Sequence, residues 1–169
     1  EKLNGDSTTM NDLKGKTLVP GFIDGHVHFA GLGAQAVAAN LLAAPDGNCN
    51  SIDDLVQILK DWNTKNGTDK TKGWIFGMGF DDAVLKEGRF PTREDLDKVS
   101  KDIPIVVMHI SGHFCSVNSK GLELSKITAA TKNPPGGVIR RVPNSTEPNG
   151  VLEENAALGV LFPIITPAP

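Results

Sequence analysis

The chain has 169 residues, of which 39% are hydrophobic and 22% charged, a composition typical of a globular protein with one sizeable core. Its net charge of −3 and its lack of tyrosine argue against a nucleic-acid partner, which normally needs a basic surface with aromatic side chains. It contains no apolar run long enough for a membrane span and no recognisable secretory leader. We therefore expect no membrane partner and a cytoplasmic protein, or a secreted one if an upstream signal was removed.

The first third of the chain is predicted to hold one strand and two helices. Residues 1–16 are polar and carry turn signals, so they are interpreted as an entry arm. Phe22–Phe29 suits a buried strand that ends close to two histidines. Strong helix formers predict a helix over 34–43, and a capping-box pattern followed by an apolar stripe predicts a second over 51–62.

Short strands dominate the remainder. The segments WIFGMGF (74–80), IPIVVMHI (103–110) and GVIRRV (137–142) each favour a strand. A short helix is predicted within 91–99, where a proline is followed by a threonine cap, and a last helix over 151–162. Strands that alternate with helices in this way indicate an α/β fold.

Two of the four histidines, His26 and His28, are one residue apart at the end of the first predicted strand. Side chains alternate between the faces of a strand, so both imidazoles and the nearby Asp24 should project to one side. Neutral imidazole is the commonest side-chain metal ligand, and Asp24 could orient such a ligand. The alternative interpretation is two polar residues at a strand end, without a metal.

The segment VPGFIDGHVHF, which contains this pair, resembles the opening strand of the metal-dependent amidohydrolase superfamily. Four further segments follow in the order of the YtcJ-like amidohydrolases, also called amidohydrolase family 3. They are GWIFGMGFDD, GRFPTREDLD, SGHFCSVNSKGLEL and NGVLEENA. The resemblance covers residues 12 to about 160.

The resemblance implies the N-terminal part of a (β/α)8 metallohydrolase barrel that carries an inserted α+β subdomain. Because a complete barrel takes roughly 250 residues, we expect a truncated chain whose barrel is not closed. The expected division is a β-sandwich remnant or entry arm (1–16), the first barrel strand with its helices (17–66), an inserted subdomain rich in short strands (67–150), and a helix with a truncated end (151–169).

The resemblance also implies a set of site residues. His26, His28 and Glu154 are expected to bind a divalent metal, with zinc as the first choice and iron, manganese or nickel as alternatives. Asp24 and His113 are expected to be catalytic, His113 because it matches the family's Gly-His motif. The alternatives are a His113 that binds loop backbone, and a Glu154 that is, like Glu153, a solvated carboxylate at a helix start.

Other polar residues of the resembling segments receive structural interpretations. Asn118 matches an Asn-Ser pair of the family, whereas Ser111 stands where many relatives carry an acidic residue. His109 lies inside a predicted strand and is interpreted as a core residue rather than a ligand. The pair Asp81 and Asp82 resembles a metal pair, but capping of a loop is favoured because consecutive side chains diverge.

The implied activity is hydrolysis of carbon–nitrogen bonds in small non-peptide amides by a metal-activated water. The chain alone is expected to be inactive, because no histidine follows His113 to complete the site. It is also expected to associate with itself or to form a homo-oligomer. The alternative is a non-catalytic interaction or lid module that binds through the surface around Phe80, Phe90 and Phe114.

Overall fold

The computed structural model describes residues 5–23, 25 and 29–165. Its helices are α1 (Phe29–Gln35), α2 (Ile52–Asn66), α3 (Arg93–Asp97), α4 (Ser119–Leu124) and α5 (Asn155–Ile165), with a short 3-10 helix at Asp69–Thr71. Its strands are β1 (Ala39–Asn40), β2 (Ile75–Phe80), β3 (Ile105–His109), β4 (Phe114–Val117), β5 (Gly137–Arg141) and β6 (Pro148–Glu154). No helix in these ranges is long and apolar enough to cross a membrane.

The six strands form one open, mixed sheet in the order β1-β2-β3-β4-β6-β5. Strands β1, β2 and β3 run parallel, and the remaining neighbours pair antiparallel. The predicted α/β class is therefore confirmed, but the described sheet does not close into a barrel. Membership of a barrel and the four-part domain division stay predictions, with one sheet running across the expected boundaries at 66/67 and 150/151.

Helices cover both faces of the sheet. Successive side chains of its central strand, β3, point to opposite faces and pack against different helices. Ile105 and Val107 of β3 pack against helices α2 and α3, whereas Val106 between them packs on the opposite face with helix α5. All three side chains are fully buried. The core thus consists of two apolar layers that hold the strands, and hence their ends, in fixed positions.

Predicted elements with a strong local signal are confirmed. Strands β2, β3 and β5 lie where expected, and Ser51 caps α2 by accepting a hydrogen bond from the Asp54 N–H. Helix α3 has a capping box between Thr92 and Asp95. Burial alone would raise the pKa of Asp95, but hydrogen bonds from Arg89 and from the Thr92 backbone outweigh it and lower the pKa to about 2.

The predicted helix over 34–43 is wrong, because Ala39–Asn40 forms the edge strand β1. A Cβ at Gly77 of β2 would lie 2.5 Å from Leu41 Cδ1, so the glycine allows this segment to pack closely against β2. Strand pairing and burial of Leu41 outweigh the helix propensity of the alanines.

The predicted buried strand Phe22–Phe29 is not seen at either end. Phe22 and Ile23 are exposed without regular structure, and Phe29 begins helix α1. The described sheet supplies no neighbouring strand that would bury this segment. Its centre, including Asp24, His26 and His28, lies outside the described residues. Residues 5–23 form no helix or strand and are exposed throughout.

Both cysteines, Cys49 and Cys115, are free thiols buried in the core. Burial raises the pKa of Cys49 to about 12 and raises that of Cys115 still further. Neither thiol is therefore available as a nucleophile at neutral pH.

Candidate functional site

One edge of the sheet collects most of the polar side chains that the sequence singled out. Strands β2, β3 and β6 end at this edge, and β4, which runs the opposite way, begins there. In α/β sheets ligands bind beyond the carboxyl ends of the strands. We therefore refer to this side as the carboxyl edge and describe the groups that meet on it.

Glu154 and His113 contact each other through their side chains at the carboxyl edge. The Nδ1 atom of His113 lies 3.0 Å from Glu154 Oε2 and 3.1 Å from Oε1. The Glu154 N–H also donates to the His113 carbonyl oxygen at 2.7 Å. Both side chains are more than half exposed, so a ligand can reach them. The structure thus brings a predicted metal ligand and a predicted catalytic residue together.

Glu154 has a backbone conformation that is rare for its residue type. Its φ angle is +49°, in the left-handed region, at the junction between β6 and α5. This conformation is unfavourable for a residue with a Cβ and often persists at functional sites. It allows strand β6 to turn directly into helix α5 at the residue that contacts His113.

Glu153 is held away from that pair by a different partner. Its Oε1 atom accepts a hydrogen bond from Arg140 Nε at 2.5 Å. The Arg140 guanidinium lies over the ring of Phe90, 4.6 Å from its centroid, and 5.8 Å from the centroid of Phe114. The two glutamates therefore diverge, as the sequence predicted for consecutive side chains.

A second polar cluster at the carboxyl edge joins the ends of β2 and β3. His109 Nε2 lies 3.2 Å from Asp82 Oδ1 and 3.8 Å from Asp81 Oδ1. One ligand atom from each of these residues lies within 4.8 Å of the others. Asp81 also accepts a hydrogen bond from the Ala83 N–H, so the predicted loop capping is confirmed for this residue. The predicted divergence of the two aspartates is wrong, because both side chains approach His109 Nε2.

Ser111 links the two clusters through the turn between β3 and β4. Its Oγ atom lies 2.8 Å from His109 Nδ1 and accepts a hydrogen bond from the His113 N–H at 3.3 Å. The Ser111 N–H also lies 3.1 Å from His109 Nδ1. The positions of both histidines therefore depend on this serine.

The aromatic residues through which the alternative interaction or lid module would bind pack mainly against each other. Phe80 is fully buried, and its ring makes edge contacts with Phe90 and His109. Phe90 also contacts Phe114, with ring centroids 5.3 Å apart, beneath Arg140. Placing Phe80 on an exposed binding surface was therefore wrong, because its side chain belongs to the core.

Asn118 has a structural position away from the site. It is fully buried, and its side-chain oxygen accepts hydrogen bonds from the Ile105 and Gly121 N–H groups at 2.9 and 2.8 Å. Its amide donates to the carbonyl oxygens of Ser100 and Ile103, both at 2.9 Å. It thereby caps helix α4 and joins that helix to strand β3.

A sequence profile of the amidohydrolase family matches residues 9–168, nearly the whole chain. The chain belongs to the amidohydrolase family. The resemblance inferred from its motifs is therefore confirmed.

Three relatives show how much of an amidohydrolase this chain represents. It is 34% identical over 161 residues to the protein LONG AFTER FAR-RED 3 of Arabidopsis thaliana, covering 94% of this chain and 25% of that protein. It is 30% identical over 156 residues to the putative amidohydrolase YtcJ of Bacillus subtilis, covering 92% and 28%. N-substituted formamide deformylase of Arthrobacter pascens is 34% identical over 148 residues, with 86% and 26% covered. The chain spans about a quarter of the length of these relatives.

Solved structures give the same relationship. The amidohydrolase chain is similar to an uncharacterized metal-dependent hydrolase from Pyrococcus furiosus, with a TM-score of 0.52 and 27% sequence identity. The similarity covers 83% of this chain and 24% of that one. The described fold is therefore shared with part of a metal-dependent hydrolase.

Proposed function

We propose that this chain contributes the first part of the active site of a hydrolase that cleaves carbon–nitrogen bonds in small non-peptide amides with a metal-activated water. The observation that carries the proposal is the contact between Glu154 and His113 at the carboxyl edge. Membership of the amidohydrolase family supports the reaction class. Because the chain spans about a quarter of its relatives, the activity is proposed for a full-length protein that contains it.

The described residues fit a divalent metal by their chemistry and by their access to solvent. Glu154 offers an exposed carboxylate held by a strained backbone, and zinc accepts carboxylate oxygens together with imidazole nitrogens. The predicted ligands His26 and His28 would complete three protein ligands with Glu154. When bound, the metal would act as a Lewis acid that lowers the pKa of water and polarises a carbonyl group.

His113 is proposed to handle a proton next to this site. A carboxylate that accepts a hydrogen bond from Nδ1–H favours the tautomer in which Nε2 carries no proton. When Glu154 accepts the hydrogen bond from Nδ1, the Nε2 atom of His113 can accept a proton from water or a hydrogen bond from the substrate amide. Asp24 keeps its proposed role as a carboxylate of the active site that orients a ligand histidine.

The substrate class is proposed from one relative and from the reaction. The name of the Arthrobacter pascens relative specifies deformylation of N-substituted formamides, which breaks an amide carbon–nitrogen bond. A formyl or small acyl group on a substituted nitrogen is therefore the first substrate to test. The 169-residue chain alone is proposed to bind metal weakly at the site of His26, His28 and Glu154 and to be inactive.

The test measures metal content and hydrolysis of N-formyl and N-acyl amides by a full-length protein that contains this chain. His26→Ala, His28→Ala and Glu154→Gln should each lower bound metal and reduce turnover by at least about 100-fold. His113→Gln should reduce kcat while metal content stays unchanged.

Glu153→Gln is the matched control, because the neighbouring carboxylate binds Arg140 rather than His113. It should retain metal and most of the activity. Full activity in Glu154→Gln or in either His→Ala variant would disprove the proposed metal site. Hydrolysis of none of the amides by the metal-loaded protein would disprove the proposed substrate class.

A further inference from the structure

The cluster at the ends of β2 and β3 is separate from the Glu154 and His113 pair and has its own ligand set. Asp81 and Asp82 provide carboxylate oxygens, and His109 provides an imidazole nitrogen. His109 ends β3, and Asp81 and Asp82 directly follow the neighbouring parallel strand β2, whose last residue, Phe80, is opposite His109 in the register. The cluster thus has a fixed place in the sheet and does not depend on residues 24 or 26–28.

The Nε2 atom of His109 is buried but has no hydrogen-bond partner. It is shielded from solvent and forms no hydrogen bond, even though Asp82 Oδ1 is only 3.2 Å away. The whole side chain is 11% exposed. A buried polar nitrogen without a hydrogen bond is unfavourable and calls for a physical explanation. A ligand between Nε2 and the two carboxylates would satisfy it.

The charges of the cluster favour a cation as that ligand. Asp81 and Asp82 are each about one-third exposed, and within the part of the chain that the structure describes neither forms a salt bridge with lysine or arginine. Two carboxylates that lie close together repel each other unless a proton or a cation lies between them. His109 in its neutral form does not compensate this charge.

The second ring nitrogen of His109, Nδ1, has the hydrogen-bond partner that a metal-binding histidine usually has. A histidine that binds a metal through one nitrogen usually donates its other N–H to an oxygen. Ser111 Oγ is 2.8 Å from Nδ1 and can accept that hydrogen bond. The Ser111 N–H donates to Nδ1 at 3.1 Å, and this hydrogen bond would be exchanged for the one to Ser111 Oγ when Nδ1 carries the proton.

A β-bulge explains how consecutive aspartates reach one histidine. The register between β2 and β3 shifts between Met78 and Phe80, leaving Gly79 as an extra residue with φ +103°. Bulges change the direction in which the following side chains point and are common beside functional sites. A Cβ at this glycine would also lie 2.7 Å from Leu42 Cδ2, so the bulge needs glycine.

We propose that Asp81, Asp82 and His109 bind a divalent cation at a second site, distinct from the site proposed at His26, His28 and Glu154. Two carboxylate oxygens and one imidazole nitrogen suit Zn²⁺ or Mn²⁺ better than Ca²⁺ or Mg²⁺, which prefer oxygen ligands alone. The bound cation joins the loop after β2 to the end of β3. This proposal goes beyond the proposed hydrolysis and holds whether or not amides are cleaved.

The test uses Zn²⁺ and the 169-residue chain, with binding measured by calorimetry. Asp82→Asn and His109→Gln should each weaken Zn²⁺ binding at this site by about 100-fold or more. Asp102→Asn, which changes an exposed loop aspartate outside the cluster, should bind Zn²⁺ as the unmodified chain does. Glu154→Gln should also leave this site intact, which separates the result from the fate of the proposed hydrolytic site.

Nuclear magnetic resonance of the histidine rings tests the same proposal in the unmodified chain, without relying on the folding of a variant. Zn²⁺ should remove the proton from His109 Nε2 and place it on Nδ1. An unchanged His109 ring spectrum at saturating Zn²⁺ would overturn the proposal. Loss of all Zn²⁺ binding in Glu154→Gln, or unchanged binding in a folded Asp82→Asn, would overturn it as well.

Discussion

Glu153 and Glu154 are adjacent in sequence, yet their carboxylates bind different partners: Arg140 of β5 holds Glu153, and His113 holds Glu154. The left-handed backbone of Glu154 separates them. Glu153 therefore links strand β6 to strand β5, whereas Glu154 is exposed to solvent at the carboxyl edge.

Replacing Glu154 with glycine should remove metal binding at the site proposed with His26 and His28, without lowering stability. Glycine adopts φ +49° freely, so the free energy of unfolding should stay unchanged or rise by up to about 1 kcal/mol. The control Glu153→Gly should lose about 2 kcal/mol, since it breaks the Arg140 ion pair and places glycine within a strand. Urea unfolding measures both, and equal destabilisation of the two variants would contradict the assignment of strain to Glu154.

Asn118 should be essential for folding rather than for catalysis. Asn118→Ala removes hydrogen bonds to two buried N–H groups and two partly buried carbonyl oxygens and should cost about 3 kcal/mol or more. The neighbouring exposed variant Ser119→Ala should cost less than about 1 kcal/mol. Thermal unfolding checks both values. A stable Asn118→Ala protein with lost activity would instead assign this residue to the active site.

The contribution of Asp95 to stability should disappear in acid. Its pKa is about 2 in the folded chain against an ordinary 3.8, so its stabilising effect is present above about pH 4 and is lost as the pH falls towards 2. Asp95→Asn should therefore cost about 2 kcal/mol at pH 7 and much less at pH 2. Urea unfolding at both pH values measures this difference.

The control for Asp95 is Glu94→Gln on the same helix. The Glu94 side chain is more than half exposed, and its ion pair with Arg93 is at the surface. Its replacement should change stability by less than about 0.5 kcal/mol at either pH. A similar cost for Asp95→Asn at pH 2 and pH 7 would show that the ionised form of Asp95 is not what stabilises the fold.

Gly150 and Gly88 provide a matched test of crowding. Both have positive φ angles, +97° and +58°. A Cβ at Gly150 would lie 2.5 Å from the Val117 carbonyl oxygen, whereas no atom lies within 4 Å of one at Gly88. Gly88→Ala should cost about 1 kcal/mol, and Gly150→Ala at least twice as much. Equal costs, measured by urea unfolding, would mean that the backbone near Gly150 relaxes freely.

The exposed apolar segment before helix α1 should make the chain associate with itself. Phe22 and Ile23 are almost fully exposed, and Leu18 and Val19 are mostly exposed. Contiguous apolar surface of this kind promotes contacts between molecules. Light scattering should show association that rises with concentration and weakens in the double variant Phe22→Ser, Ile23→Ser. The single variant Val84→Ser, at an isolated exposed position, should behave like the unmodified chain.

Elements whose hydrophobic pattern agrees with their final surroundings could be predicted from the sequence. Strand β3 is an apolar run that is buried on both faces, and helix α2 combines an apolar stripe with a serine cap. The helix predicted around Ala39 was wrong for the opposite reason. Its local preference is helical, but its burial depends on a glycine 38 positions away in β2, which local propensity does not report.

The candidate site was predictable to the extent that motifs mark individual residues. His113 and Glu154 were chosen separately from family motifs, and the structure places them in contact. The approach of Asp82 to His109 was missed, because it depends on the bulge at Gly79 and on the parallel register of two strands. Neither can be read from the spacing of residues along one segment.

The turn between β3 and β4 has a consequence for how the site forms during folding. His109 and His113 belong to one hairpin, so a local contact that forms early sets their relative position. Glu154 is 41 residues from His113 and arrives only when β6 pairs with β4. The pairing of β3 with β4 therefore sets the spacing of the two histidines locally, whereas the contact between His113 and Glu154 depends on the long-range pairing of β6 with β4.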